Sequence, residues 1–194
     1  HTIWQFIKYA LLIALAVIVA IVMCGIRVFG LYSGRGLPGN DKIYNPSKLT
    51  AYENSPIEGK TVLFLGSSVT QGYGGGNISF VDYIEKLDSV HAIKEVMGGT
   101  TVANITVGYA FDRNSYVSRL MKHDASEPVD CVVVQLSTND ATNMANGLPV
   151  GELSDSKNIE DIDDTTFVGG MEKIIAYSYQ TWGCPVVVYS NANP

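Results

Sequence analysis

The longest apolar stretch of the chain runs from Tyr9 to Val28, and between Tyr9 and Ile26 it carries no charged residue. Roughly 18 such residues suffice to cross a bilayer as a helix, so the pattern predicts one membrane-spanning segment. Trp4 and Tyr9 at one edge, with Arg27, Phe29 and Tyr32 at the other, are the rings and cations that suit a membrane–water boundary. No small-x-small site follows the run, and Met23 before Cys24 fits a lipoprotein cleavage site poorly. A retained anchor over residues 1–30 is therefore favoured over a cleaved signal peptide. Lys8 flanks the run on one side and Arg27, Arg35, Lys42 and Lys48 on the other, which does not by itself fix orientation. The expectation is a single-pass membrane protein whose domain lies outside the cytoplasm.

Residues 31–59 carry turn formers without helical or strand periodicity, as a linker or lead-in would. From about Lys60 the pattern changes. Short apolar runs predict strands at Thr61–Leu65, Ala92–Met97, Cys131–Leu136 and Val186–Ser190. Helical spacing predicts helices at Ser79–Leu87, with Ser79 as cap, at Ser115–Lys122 and at about Thr166–Trp182. Strands alternate with helices throughout, so residues 60–194 are expected to form an α/β domain: a mostly parallel sheet with helices on both faces. Ligands of such sheets bind beyond the carboxyl ends of the strands, near the switch in strand order.

Composition narrows the partners. The 194 residues have room for the anchor and one ordinary domain. A net charge of -6 argues against nucleic acid as a partner. Cys24, Cys131 and Cys184 are odd in number and widely spaced, so they are read as buried free thiols rather than disulfides or zinc ligands. The acidic segment with Glu152, Asp155, Glu160, Asp161, Asp163 and Asp164 lacks calcium-loop spacing and is read as solvated.

Three strand-end loops carry candidate chemistry. After the first strand comes Gly66-Ser67-Ser68-Val69-Thr70-Gln71-Gly72, where a serine on a tight turn exposes its hydroxyl and brings its own N–H close to a developing oxyanion. After the second comes Gly98-Gly99-Thr100-Thr101, where Gly99 lets a backbone N–H approach a ligand closely. After the third comes Ser137-Thr138-Asn139-Asp140, where the Asn139 amide can donate into the same crevice and Asp140 reads as a helix cap. Each loop alone is ordinary turn chemistry. Three at successive strand ends are much less ordinary.

The set resembles the SGNH (GDSL-like) hydrolase family, named for a serine, a glycine, an asparagine and a histidine in separate blocks. Gly66-Ser67-Ser68 is similar to the Gly-Asp-Ser block, with Ser67 in place of the acid; Gly99 matches the second block and Asn139 the third, where Ser137 replaces the usual glycine. Ser79–Tyr83, Asn114–Leu120 and Gln135–Asp140 extend the likeness. The resemblance implies a three-layer flavodoxin-like fold and a serine ester hydrolase without cofactor. Ser68 would attack the carbonyl, while Ser68 N–H, Gly99 N–H and the Asn139 amide would form the oxyanion hole. The implied substrate is an acyl or acetyl ester of a carbohydrate or other small molecule, and the membrane is met through the N-terminal helix.

The family's last block, Asp-x-x-His, is not found. His1, His91 and His123 are read as surface or edge residues, and the base is expected beyond Pro194, roughly 40 to 90 residues on, the span of one more strand–helix unit. Two alternatives stay open: a flavodoxin-like phosphate or flavin binder using the loop after the first strand, and a catalytically silent, membrane-anchored binding module. Val102–Arg113 matches no block.

Overall fold

An uninterrupted apolar sequence satisfies its backbone polar groups internally only as a helix, and the N-terminal run forms α1, Thr2–Tyr32. Its Ile3–Gly25 stretch is exposed along its length and is long and apolar enough to cross a membrane. The computed structural model describes residues 2–32, 41–105, 114–136, 138–156 and 158–190. The chain divides into two units, His1–Tyr44 with Gly74–Gly76, and Asn45–Tyr73 with Asn77–Pro194. Ahead of the first strand in the second unit, Tyr52 N–H donates to Leu87 O at 2.7 Å and Ser55 Oγ to Asp88 Oδ1 at 2.8 Å.

Among the described residues the second unit is built on four parallel strands: β1 (Thr61–Gly66), β2 (His91–Val96), β3 (Cys131–Leu136) and β4 (Val186–Ser190), in the order β2-β1-β3-β4. The helices are α2 (Ser68–Gln71), α3 (Phe80–Asp88), α4 (Tyr116–Leu120), α5 (Thr138–Ala145) and α6 (Phe167–Trp182). Side chains alternate across each strand. Val62 and Phe64 of β1 therefore pack with Val81 and Ile84 of α3, whereas Leu63 and Leu65 pack with Tyr116, Val117 and Leu120 of α4 and Ile174 of α6. The result is the three-layer α/β architecture expected from the alternation.

Local chemistry fixes the helix starts. Ser79 Oγ accepts from Val81 N–H at 3.3 Å while the Asp82 carboxylate accepts from Ser79 N–H at 2.7 Å, a reciprocal capping box. Burial works to raise the Asp82 pKa, but hydrogen bonds from Lys94 and the Ser79 N–H prevail and hold it below the ordinary carboxylate value. Ser115 and Thr166 cap α4 and α6 through Ser118 N–H and Gly169 N–H.

Several expectations are corrected. The segment after β3, read as a loop, forms α5, and Asp140 lies inside its first turn rather than ahead of it. There it is fully buried, and its carboxylate accepts from Val102 N–H at 2.8 Å and Ala103 N–H at 3.3 Å. His123 is no surface residue, since its side chain is 8% exposed, stacked edge-on to Trp182 between Glu95 and Glu127. Of the three free thiols only Cys184 is buried; Cys131 is half-buried and Cys24 exposed. The acidic segment is not solvated throughout, because Asp164 Oδ2 pairs with the buried Lys173 Nζ at 3.0 Å and its carbonyl accepts from Asn104 N–H.

Candidate active site

The strand order places the carboxyl ends of β2, β1 and β3 side by side, with β1 in the middle. The chain leaves β1 for β2 on one flank and then crosses to β3 on the other, so the switch in strand order lies at β1. Ser68 follows β1, Gly99 follows β2 and Asn139 lies in the first turn of α5 after β3.

Gly66 ends β1 because no side chain fits there: a Cβ would lie 1.8 Å from Thr70 Oγ1. With the turn closed this tightly, Ser67 takes the N-cap position and Ser68 opens α2, half-buried. Among the described residues, neither the Ser68 hydroxyl nor its N–H enters a hydrogen bond.

The loop after β2 is held against this turn. Gly98 N–H donates to Gln71 Oε1 at 2.8 Å, and a Cβ at Gly98 would sit 3.6 Å from Ser68 Cβ. Gly99 adopts φ +81°, a left-handed conformation that favours glycine, and its N–H has no acceptor among the described residues. The first turn of α5 joins from the other side, where Asn139 Nδ2 donates to Thr100 O at 2.8 Å. Ser68 at the start of α2, Gly99 in the loop after β2 and Asn139 in the first turn of α5 thus belong to three strand-end segments that hydrogen bonds knit into one cluster. Ser137 and residues 106–113 of the unassigned Val102–Arg113 stretch lie outside the described residues.

Two buried polar residues beneath the cluster had no role in the sequence reading. Arg119 of α4 is 8% exposed, and its guanidinium donates to Gly66 O at 2.9 Å, Thr100 Oγ1 at 3.1 Å, Glu95 O at 3.3 Å and Asn114 O. Burial pushes its pKa below the ordinary arginine value, with Tyr116 and Glu95 acting in the opposite direction. Gln135 of β3 is fully buried and bonds the turn around Ser68. Arg119 lies in the Asn114–Leu120 phrase and Gln135 in the Gln135–Asp140 phrase, but only their positions in the phrases marked them. Nearby, Thr70 Oγ1 and Tyr189 OH lie 2.6 Å apart; burial raises the Tyr189 pKa and the Thr70 hydrogen bond offsets part of that.

His91 starts β2 at the amino end of the sheet, paired in register with Thr61. His123 faces Glu95, Glu127 and Trp182. His1 is outside the described residues.

The sequence matches no protein-family model and no curated protein. Its fold does match solved structures. A crystal structure of a protein from Lactobacillus plantarum aligns with TM-score 0.52 and 20% identity over 70% of this chain and 57% of that one. The structure of a GDSL-like lipase from Bacteroides ovatus aligns with TM-score 0.50 and 16% identity over 70% of this chain and 74% of that one. The chain thus spans less than two thirds of the first of these. Its fold is SGNH hydrolase-like.

Proposed function

We propose that the chain carries the serine and oxyanion-hole part of an ester hydrolase attached to a membrane through α1. The observation that carries this reading is the hydrogen-bonded meeting of three segments at adjacent strand ends, with Ser68 next to the Gly98–Gly99 turn and Asn139 bonded to Thr100 O. Ser68 Oγ attacks an ester carbonyl and loses its proton to a base. The negative charge formed on the carbonyl oxygen is met by Ser68 N–H, Gly99 N–H and the Asn139 amide. Collapse breaks the ester C–O bond, the alcohol leaves with a proton, and water attacks the acyl-Ser68 to return the free serine and the acid. The proposed substrate is an acyl or acetyl ester of a carbohydrate or other small molecule, and the residues named need no cofactor.

The proton acceptor is assigned outside the described residues, because His91 stands at the amino end of the sheet and the His123 side chain faces Glu95, Glu127 and Trp182 rather than Ser68. In serine hydrolases, loss of the base slows turnover by on the order of 10⁴- to 10⁶-fold. The 194-residue chain in detergent is therefore expected to turn over p-nitrophenyl acetate very slowly, and added imidazole is expected to raise the rate. The test is the rate against imidazole concentration after subtraction of a Ser68→Ala control. Identical rates in the two proteins would remove Ser68 from the reaction. Fast Ser68-dependent turnover without imidazole would place the base within these 194 residues.

A further inference from the structure

We propose that Gln135 is a positioning residue for Ser68; this rests on the reading of Ser68 as nucleophile. Gln135 lies in β3, beside β1, in the run Cys131–Leu136 whose other members are apolar. Its side chain is 0% exposed, and Oε1 accepts from Ser67 N–H at 3.0 Å, Thr70 N–H at 3.4 Å, Ser67 Oγ at 3.4 Å and Thr70 Oγ1 at 2.5 Å. Ser68 lies between these two anchored residues. One acceptor thus holds the backbone on both sides of Ser68, fixing the direction of its N–H and of its Cα–Cβ bond without touching its hydroxyl.

The rest of the Gln135 amide argues that the acceptor matters. Nε2 is buried with no hydrogen-bond partner among the described residues, an arrangement that opposes folding. An apolar side chain of similar shape would avoid that penalty. What it would lack is the oxygen that collects Ser67 and Thr70. A local stability loss beside a candidate nucleophile is the usual mark of a site built for chemistry rather than for the core.

The test measures the rate at which p-nitrophenyl acetate acetylates Ser68 in the full chain, by peptide mass, for the wild-type protein, Gln135→Leu and Gln135→Glu. Gln135→Leu is expected to slow acetylation about 10- to 100-fold, the loss that follows a displacement of about 1 Å at a reacting group. Gln135→Glu keeps the shape. Its neutral acid offers the same carbonyl oxygen, whereas its ionised form places a negative charge beside the forming oxyanion. The ratio of the Glu variant's rate to the wild-type rate should therefore fall as pH rises. Tyr189, joined to this network through Thr70, and Arg119, bonded to Gly66 O, are present in both proteins and cancel in the ratio. Rates are taken per folded molecule, because a buried carboxylate that ionises also lowers the folded fraction; on that basis a role in packing alone leaves the ratio constant. Should Gln135→Leu not fold, the Glu variant carries the test alone. Wild-type rates in the Leu variant, or a ratio independent of pH, would overturn the inference while leaving Ser68 as nucleophile. Absence of acetyl-Ser68 in the wild-type protein would overturn both.

Discussion

Replacing Asn139 by Ala is expected to slow acetylation of Ser68 about 100- to 1,000-fold, the usual effect of deleting one oxyanion donor. The amide is positioned twice over. Its place in the first turn of α5 follows directly from the end of β3, and Nδ2 is oriented by the Thr100 carbonyl at 2.8 Å. Neighbouring Asp140 fixes the same turn by accepting from Val102 and Ala103 N–H, so the backbone at 139 stays in place when the side chain is shortened. Folding should lose only about 1 kcal/mol, the net value of one hydrogen bond. Asn139→Asp separates donor from shape, because a carboxylate keeps the volume, loses both donors and adds a negative charge. It should be at least as slow as the Ala variant. Acetylation at the wild-type rate in either variant, measured by peptide mass at matched protein stability, would remove Asn139 from the mechanism.

Arg119→Met is expected to lower stability by about 2 to 4 kcal/mol, the largest effect on folding of any single substitution considered. Methionine fills similar volume, so the loss comes from the acceptors left behind. Gly66 O, Thr100 Oγ1, Glu95 O and Asn114 O each lose a donor, and a hydrogen bond to a charged group contributes about 1.5 to 3 kcal/mol. Release of a buried cation offsets part of that sum. For a protein of this size the change corresponds to a fall in Tm of roughly 5 to 15 °C. Arg119→Lys keeps the charge but offers three donors from one nitrogen, which cannot span β1, β2 and the Thr100 turn together. It should fall between the two. Thermal unfolding of the three proteins checks this, and equal Tm values for the Met variant and wild type would show that the guanidinium bonds do not stabilise the strand-end loops.

The sheet was legible in the sequence for a physical reason. Strands buried on both faces read as near-continuous apolar runs, so the central β3 falls on Cys131–Leu136 as expected and β1 extends one residue further, to Gly66; β4, a largely exposed edge strand, falls on its expected Val186–Ser190 because its valines favour extended backbone. The edge strand β2 starts one residue earlier than expected, at His91, because His91, Lys94 and Glu95 blur its apolar pattern. Capped helices were legible too, as Ser79, Ser115 and Thr166 each sit immediately before the helix they start. α5 was not, since Thr138, Asn139, Asp140, Thr142 and Asn143 have low helix propensity and no apolar period. What holds it is Asp140 reaching Val102 and Ala103, some 38 positions earlier in the chain. The burial of His123 against Trp182, and the links of Gln135 to Ser67 and Arg119 to Gly66, are long-range in the same way. Periodicity reports which face a residue occupies; it says nothing about which distant loop that residue will hold.

The proposal that Ser68 is a nucleophile is tested most directly by trapping it. p-Nitrophenolate leaves without a proton, so acylation needs no general acid and proceeds slowly with buffer or hydroxide taking the Ser68 proton; the acetyl-serine ester has a far poorer leaving group, so without the base it hydrolyses more slowly still and the product is retained. After incubation, peptide mass mapping of the full chain should find one acetyl group on the peptide containing Ser68, at a level that Asn139→Ala reduces and Ser68→Ala abolishes. Acetyl groups spread over surface lysines, with none on Ser68 and no difference between the wild-type and Ser68→Ala proteins, would contradict it.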